Sequence, residues 1–363
     1  MKKIIATVAV LMFLMALSAP LTFAQDAGAK PAAQDAAAQE AAAYKEWYDA
    51  NNAKDYPKAM ELAKAYLEKY PNGQYAAYLK TKWIPGVRQK FLADAVAAKN
   101  LAEIDRIGKE IMAADPENLD FALFLADQLR RGDTNFQYTP DTVQFTQTSI
   151  RLIEAGKTPA PTNPPKPFPK NETLGYLHDT LASIAEHNKD ADKALAEYEQ
   201  AAAIDPMNPR YFFNIGRLHQ GRYAVAAAEY QKFPEADRTA PEPKPEVKAA
   251  LDKVNAEADG VINNWARFMG LPKNDYSPDV KQKVMTALTD LYKYRNNNSD
   301  AGLQKLIDDN KTSPTLVKMP PPVEPKPQAA ADQKPAGDGN GAKPGTPTPA
   351  AAAPKPVTKK PRT

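Results

Sequence analysis

The chain has 363 residues, 25% charged and 43% apolar, enough to bury a helical core spread over two or three domains. It has no Cys, which excludes disulfides, a thiol nucleophile and thiolate zinc sites, and its three His leave little room for imidazole chemistry. The formal net charge of +3 resides at the ends: Lys2 and Lys3 open the chain and residues 319–363 hold seven Lys or Arg against three acids, so residues 25–318 carry about −3 and offer nucleic acid no basic field.

Residues 1–24 have the pattern of a cleaved secretory signal: Lys2 and Lys3, an apolar run from Ile4 to Leu17, Pro20, and small residues ending at Ala24. An uncleaved N-terminal anchor is the alternative, because the run with its flank approaches the roughly 20 residues that cross a bilayer. No later stretch is apolar enough to span one. A Lys-Lys start without a lipid-attachment Cys suits a soluble exported bacterial protein, periplasmic or extracellular.

Residues 25–43 form an Ala/Gln-rich leader, either flexible or the lead-in to a first helix. Helical periods fill residues 44–157. Two helices flank Asp55, Tyr56 and Pro57, with Pro57 in a first turn where it is tolerated. Ala59, Leu62, Ala63, Tyr66 and Leu67 share one helical face, and "YPNG" ends it at Pro71. A further pair between Gln89 and Arg131 breaks at "AADPENLD".

Residues 158–170 are a Pro-rich linker. Residues 171–240 then read as two helices from Asn171 to Ile204 and two from Pro209 to Phe233. Residues 241–318 follow the break "TAPEPKPEVK" with further helices, one capped by Ser277 with Pro278 in its first turn. Residues 319–363 are Pro, Ala, Lys, Gly and Thr, a composition that cannot offset chain entropy, so this tail is expected to be disordered. No alternating strand pattern occurs, and the expected fold class is all-α.

The helical pairs repeat. Leu181 and Ala182 recur as Ile215 and Gly216, 34 residues on. Ala194 and Ala226 open second helices, Tyr198 and Tyr230 follow each by a turn, Ala201 comes next, and Pro206 closes the unit. This pattern resembles the tetratricopeptide repeat, a helix–turn–helix unit of about 34 residues. Small Ala182 or Gly216 lets two helices approach, and the aromatic fills the space beside them. The resemblance is specific over residues 171–233, fair over 44–80, where Ala59 and Pro71 match and Tyr66 replaces a small residue, and weak over 89–131. The second helices lie 32 residues apart, so "HQGRYAV" must be a shortened turn.

The resemblance implies a helical-repeat solenoid that binds a peptide or partner protein in its groove without catalysis or cofactor. By the family's register the groove carries Tyr176, Asp179, Ser183, Arg210, Phe213, Asn214 and Arg217. Arg210 and Arg217 share a face with Phe213 and Asn214 between them, suited to an acidic and apolar peptide. The carboxylate clamp of one subclass is not implied, because Asp179 and Ser183 stand at its positions. The whole then reads as an interaction scaffold of the cell envelope. The alternative is a carrier of a small ligand or polysaccharide in a pocket closed by Trp265 and Phe268.

Other chemistry finds little support. His178, His187 and His219 have no carboxylate at ligand spacing, so no metal is expected. No phosphate loop, nucleophile elbow or dinucleotide fingerprint occurs. Asp115 and Glu117, and Asp308 and Asp309, read as helix-end charge. Trp47, Trp83 and Trp265 read as core rather than base-stacking platforms. The tail is a spacer, or a weak tether to an anionic envelope polymer through its spaced Lys.

Overall fold

The computed structural model describes residues 30–162 and 164–321, and among these every regular element is helical. The signal at 1–24 and the tail beyond residue 321 lie outside the described residues. None of the described helices is long and apolar enough to cross a membrane. The chain divides into two units, one ending at Phe91 and the other beginning at Leu92.

The first unit contains α1 (Lys30–Asn52), α2 (Tyr56–Lys69) and α3 (Ala76–Tyr78), then a π-helical turn, Leu79–Trp83, and the start of α4 (Ile84–Ala97). The leader is thus helical from Lys30 onward, as its Ala-rich composition favours. Asp55 caps α2 by accepting the Lys58 amide at 3.3 Å, with Pro57 in the first turn. Ala59 and Ala63 are fully buried among Trp47, Tyr66, Leu79 and Trp83. The Tyr66 hydroxyl donates to Glu40, which also accepts the Gln74 amide at 2.7 Å. The Trp83 indole donates to Asn51 Oδ1 at 2.8 Å.

The second unit holds α5 (Leu101–Ala114), α6 (Leu119–Gly132), α7 (Thr139–Glu154), α8 (Lys170–His187), α9 (Ala191–Ile204) and α10 (Pro209–Gln231). A short α11 (Glu235–Arg238) precedes α12 (Pro245–Gly270), α13 (Pro278–Arg295) and α14 (Leu303–Thr312). From α5 to α10 each helix packs on the next; α10 then packs on α12, which carries α13 and α14. The turns "DPENL" and "DPMNP" are built alike. In each the Asn amide donates to the Asp carbonyl at 3.3 Å, and the Asn side chain, Asn118 or Asn208, caps the following helix. Ser277 caps α13 at 3.4 Å from the Val280 amide.

Most positions that define the repeat are inward. Ala182, Ala194 and Ala201 are fully buried; Leu181, Tyr198, Ile215 and Ala226 are buried; Tyr230 is half-buried; Pro71 is exposed. The expected turn at "HQGRYAV" does not form, and Pro209–Gln231 is one continuous helix. Gly221 is the one breaker within "HQGRYAV", and a helical Gly costs about 1 kcal/mol. Burial of Tyr211, Ile215, Tyr223 and Ala226 against Val254, Val261 and Trp265 of α12 outweighs that. Gly216 therefore meets α12: a Cβ added there would lie 2.3 Å from the Trp265 ring. The Trp265 indole donates to the Phe213 carbonyl at 3.3 Å.

Arg267 of α12 is fully buried and has no carboxylate partner among the described residues. Its Nη1 donates at 2.7 Å to the carbonyls of Asn310 and Ser313, and its Nη2 at 2.7 Å to that of Pro206. The guanidinium lies 5.5 Å from the Phe212 ring centre. Desolvation holds its pKa below the usual arginine value.

Two stability predictions follow from these contacts. Arg267→Lys keeps the charge and loses the fork, so urea unfolding is expected to show a loss of about 2–4 kcal/mol. An unchanged midpoint would mean that the carbonyls are satisfied without it. Gly216→Ala and Ala182→Leu each press bulk into a closed contact, and calorimetry is expected to show a lower Tm corresponding to about 1–3 kcal/mol in each.

Candidate functional site

Two acids on α8 and two arginines on α10 form a ladder. Asp179 and Glu186 are two turns apart, as are Arg210 and Arg217, so both rungs span the same two helices. Arg210 Nε donates to Asp179 Oδ1 at 2.8 Å, and Arg217 Nη2 donates to Glu186 Oε1. From α9, the Tyr198 hydroxyl donates to Glu186 Oε2 at 3.3 Å and lies 3.5 Å from Ser183 Oγ. Ser183 itself donates to the Asp179 carbonyl at 2.8 Å.

Burial pushes the Asp179 carboxyl above its usual range, against the pull of Arg210 and, through charge alone, of Arg130. Tyr276, in the loop before α13, is pushed up to about 12 by burial and lies within electrostatic reach of Arg210 and Arg217.

Beside the upper rung is a cavity of about 720 Å³. The end of α6 contributes Arg130 and Arg131, and α8 contributes Glu172, Tyr176 and Asp179. The turn into α10 contributes Asp205, Met207, Asn208 and Arg210, and Lys273 comes from the loop after α12. The Tyr176 hydroxyl donates to Asp127 Oδ1 at 3.0 Å, and Arg131 pairs with the same oxygen at 2.5 Å. Arg130 and Lys273 have no ion-pair partner among the described residues. The N-terminus of α10 adds its positive dipole end to this wall. Burial pushes the Asp205 carboxyl up, with the Asn208 side chain pulling against it.

The seven residues expected in a groove thus separate. Tyr176, Asp179 and Arg210 line the cavity. Ser183 and Arg217 belong to the ladder beyond it. Phe213 is fully buried, its ring centre 5.4 Å from that of Phe268 and 4.9 Å from that of Tyr276, and Asn214 is buried beside it. Both arginines already hold acids of their own chain. The cavity's free cations, Arg130 and Lys273, were not singled out from the sequence; a doublet in the last turn of a helix reads as ordinary dipole complement.

Two of the three histidines do find carboxylates, from other helices. His178 Nδ1 lies 2.8 Å from Glu197, and His219 Nδ1 lies 2.7 Å from Glu257. His187 stacks on Phe136 at 3.7 Å. Among the described residues no group of three or more His, Asp or Glu is placed to hold a metal ion. Trp265 and Phe268 are buried in the core of the second unit and line neither this cavity nor the one beside α12. Glu117 pairs with Arg151 at 3.1 Å and with Lys157 at 2.7 Å, and Asp309 pairs with Lys305 at 2.7 Å.

The chain matches no known family model, and no curated protein is similar to it in sequence.

Arg210→Glu combined with Arg217→Glu would set acids against Asp179 and Glu186. Removing the partner of a buried acceptor costs about 1–3 kcal/mol, so the double variant is expected to unfold at clearly lower urea. A midpoint equal to that of the wild type would mean that the ladder contributes nothing.

Proposed function

We propose that the chain is an exported, non-catalytic interaction protein of the cell envelope, built on helical repeats of the tetratricopeptide kind. Its second unit takes an anionic stretch of a partner protein into the cavity beside Asp179 and Arg210. The observation that carries this reading is the pair of unpartnered cations, Arg130 and Lys273, lining one cavity with the N-terminus of α10. A carboxylate entering there meets two cations that no acid among the described residues holds in an ion pair, so its desolvation is offset. Glu172 and Asp205 on the same lining repel a uniformly charged polyanion such as nucleic acid. A peptide that alternates acidic with neutral positions meets no such penalty.

Neutralising Arg130 and Lys273 removes no hydrogen bond of the ladder and withdraws only the Arg130 charge that favours the Asp179 carboxylate. Arg130→Gln with Lys273→Gln is expected to change stability by no more than about 1 kcal/mol. Affinity capture from envelope extract, with the full-length wild type and the double variant side by side, checks the reading. The partner retained by the wild type at low salt is expected to be lost in the variant, and to be released from the wild type at high salt. Equal retention by both proteins would remove the cavity from consideration.

A further inference from the structure

A second cavity, of about 460 Å³, is lined by α9, α10, α12 and a strap of residues 313–319. The helices give it a polar end and an apolar end. The chain reverses at the turn between α9 and α10, so Glu199 and His219 lie toward one end and Pro206 and Phe212 toward the other. α12 keeps the same order. Its Gly260 meets the His219 ring, and Arg267, two turns on, reaches the Pro206 carbonyl and lies 5.5 Å from the Phe212 ring centre. Ala202, Ala203, Pro206, Phe212, Ile215 and Pro314 give the lining its apolar part.

Much of the polar lining is already occupied within the chain. Asp259 holds Arg295 with both oxygens, at 2.6 and 3.0 Å. Glu257 holds His219 Nδ1 at 2.7 Å, and Asn263 Oδ1 accepts the Met319 N–H at 2.6 Å. The groups left over define what the cavity can take. Asn264 is only 7% exposed, and its Nδ2 donates to the Gly260 carbonyl at 2.8 Å. Its Oδ1 has no partner among the described residues, although the residue lines the cavity. A buried acceptor without a donor is costly, so this one calls for an N–H or O–H from a ligand. With Nδ1–H given to Glu257, Nε2 of a neutral His219 ring is a further acceptor. Glu199 on α9 and Lys318 on the strap are opposite charges with no ion-pair partner among the described residues. The Asn263 amide N–H groups are likewise unused.

We propose that this cavity binds a short apolar peptide with both termini free. The ammonium goes to Glu199 and His219 Nε2, and the carboxylate to Lys318 and the Asn263 amide. A main-chain N–H answers Asn264 Oδ1, and apolar side chains lie on Ala202, Phe212 and Ile215. A free amino acid carries both charges on one carbon and has no N–H between them for Asn264. A polycation meets Lys318 and a polyanion meets Glu199, so neither matches both charges. The inference does not depend on the cavity beside Arg130.

Isothermal titration calorimetry on the full-length protein tests it, with leucyl-leucine as the probe beside its N-acetylated form, its C-terminal amide and free leucine. The wild type is expected to bind leucyl-leucine about ten-fold more tightly than any of the other three. Glu199 and Lys318 are exposed, so Glu199→Gln and Lys318→Gln are expected to leave the Tm without peptide unchanged. Glu199→Gln is expected to erase the penalty of N-acetylation and keep that of amidation, and Lys318→Gln to do the reverse. No binding of leucyl-leucine to the wild type, or penalties that both variants retain, would overturn the proposal. So would free leucine binding as tightly as the dipeptide, since Asn264 would then have no part in recognition.

Discussion

A buried guanidinium organises the C-terminal half of the second unit. Arg267 has no carboxylate partner among the described residues, yet its charge is met by carbonyls where α9 and α14 end and by the strap of residues 313–319 that follows. Helix C-termini leave carbonyls without intrahelical donors, and their dipoles favour a cation. One planar fork answers several such groups at once, which an ammonium cannot do. The burial cost is thereby offset without bringing a second charge into the core. Fixing the Pro206 carbonyl fixes the turn from Asp205 to Asn208. That turn has two sides: Asp205, Met207 and Asn208 line the cavity beside α8, while Pro206 lines the second cavity, of about 460 Å³, with Pro314, Leu316 and Lys318. Both cavities therefore depend on one side chain that lines neither.

The ladder between α8 and α10 shows how a charged helix face can be spent internally. Four charges at matching two-turn spacing cancel in pairs, with Tyr198 reaching Glu186 from a third helix. In the proposed binding mode, selectivity falls to the cations without an ion pair among the described residues, Arg130 and Lys273, which come from segments distant in sequence. In that proposal, a positive field of moderate size bordered by Glu172 and Asp205 would distinguish a patterned acidic peptide from a polyanion.

What was legible in the sequence was local. Asp55, Asn208 and Ser277 cap where their side chains predict, and the Asp-Pro turns recur, because capping and turn chemistry act over three or four residues. The burial of Ala182, Ala194, Tyr198 and Ala201 was legible for the same reason, since helical period marks a face. The continuity of α10 was not, because its stability comes from α12, some 40 residues away. The partners of Arg210 and Arg217 were hidden likewise: spacing places two cations on a face and is silent on which acids a neighbouring helix presents. Arg267 gave no signal at all, one arginine in an amphipathic helix being indistinguishable from a solvated one.

The interface of α10 with α12 shows how right physics can carry a wrong address. A small residue at Gly216 signals close approach, and the sequence pattern assigned that approach to a partner helix within its own repeat. The approach is instead made by Trp265 of α12, whose ring occupies the space a Cβ would need. The relation is reciprocal: Gly260 of α12 receives the ring of His219 from α10, which Glu257 holds at 2.7 Å. Each helix gives up a side chain so that the other can seat a ring, and each ring is fixed by a hydrogen bond, Trp265 to the Phe213 carbonyl and His219 to Glu257. Two such contacts on a shared face resist sliding as well as separation, because a shift of either helix moves both rings onto backbone. This lock holds α10 straight through "HQGRYAV", where a repeat would have turned, and so sets the path of the chain into α12, Arg267 and the strap.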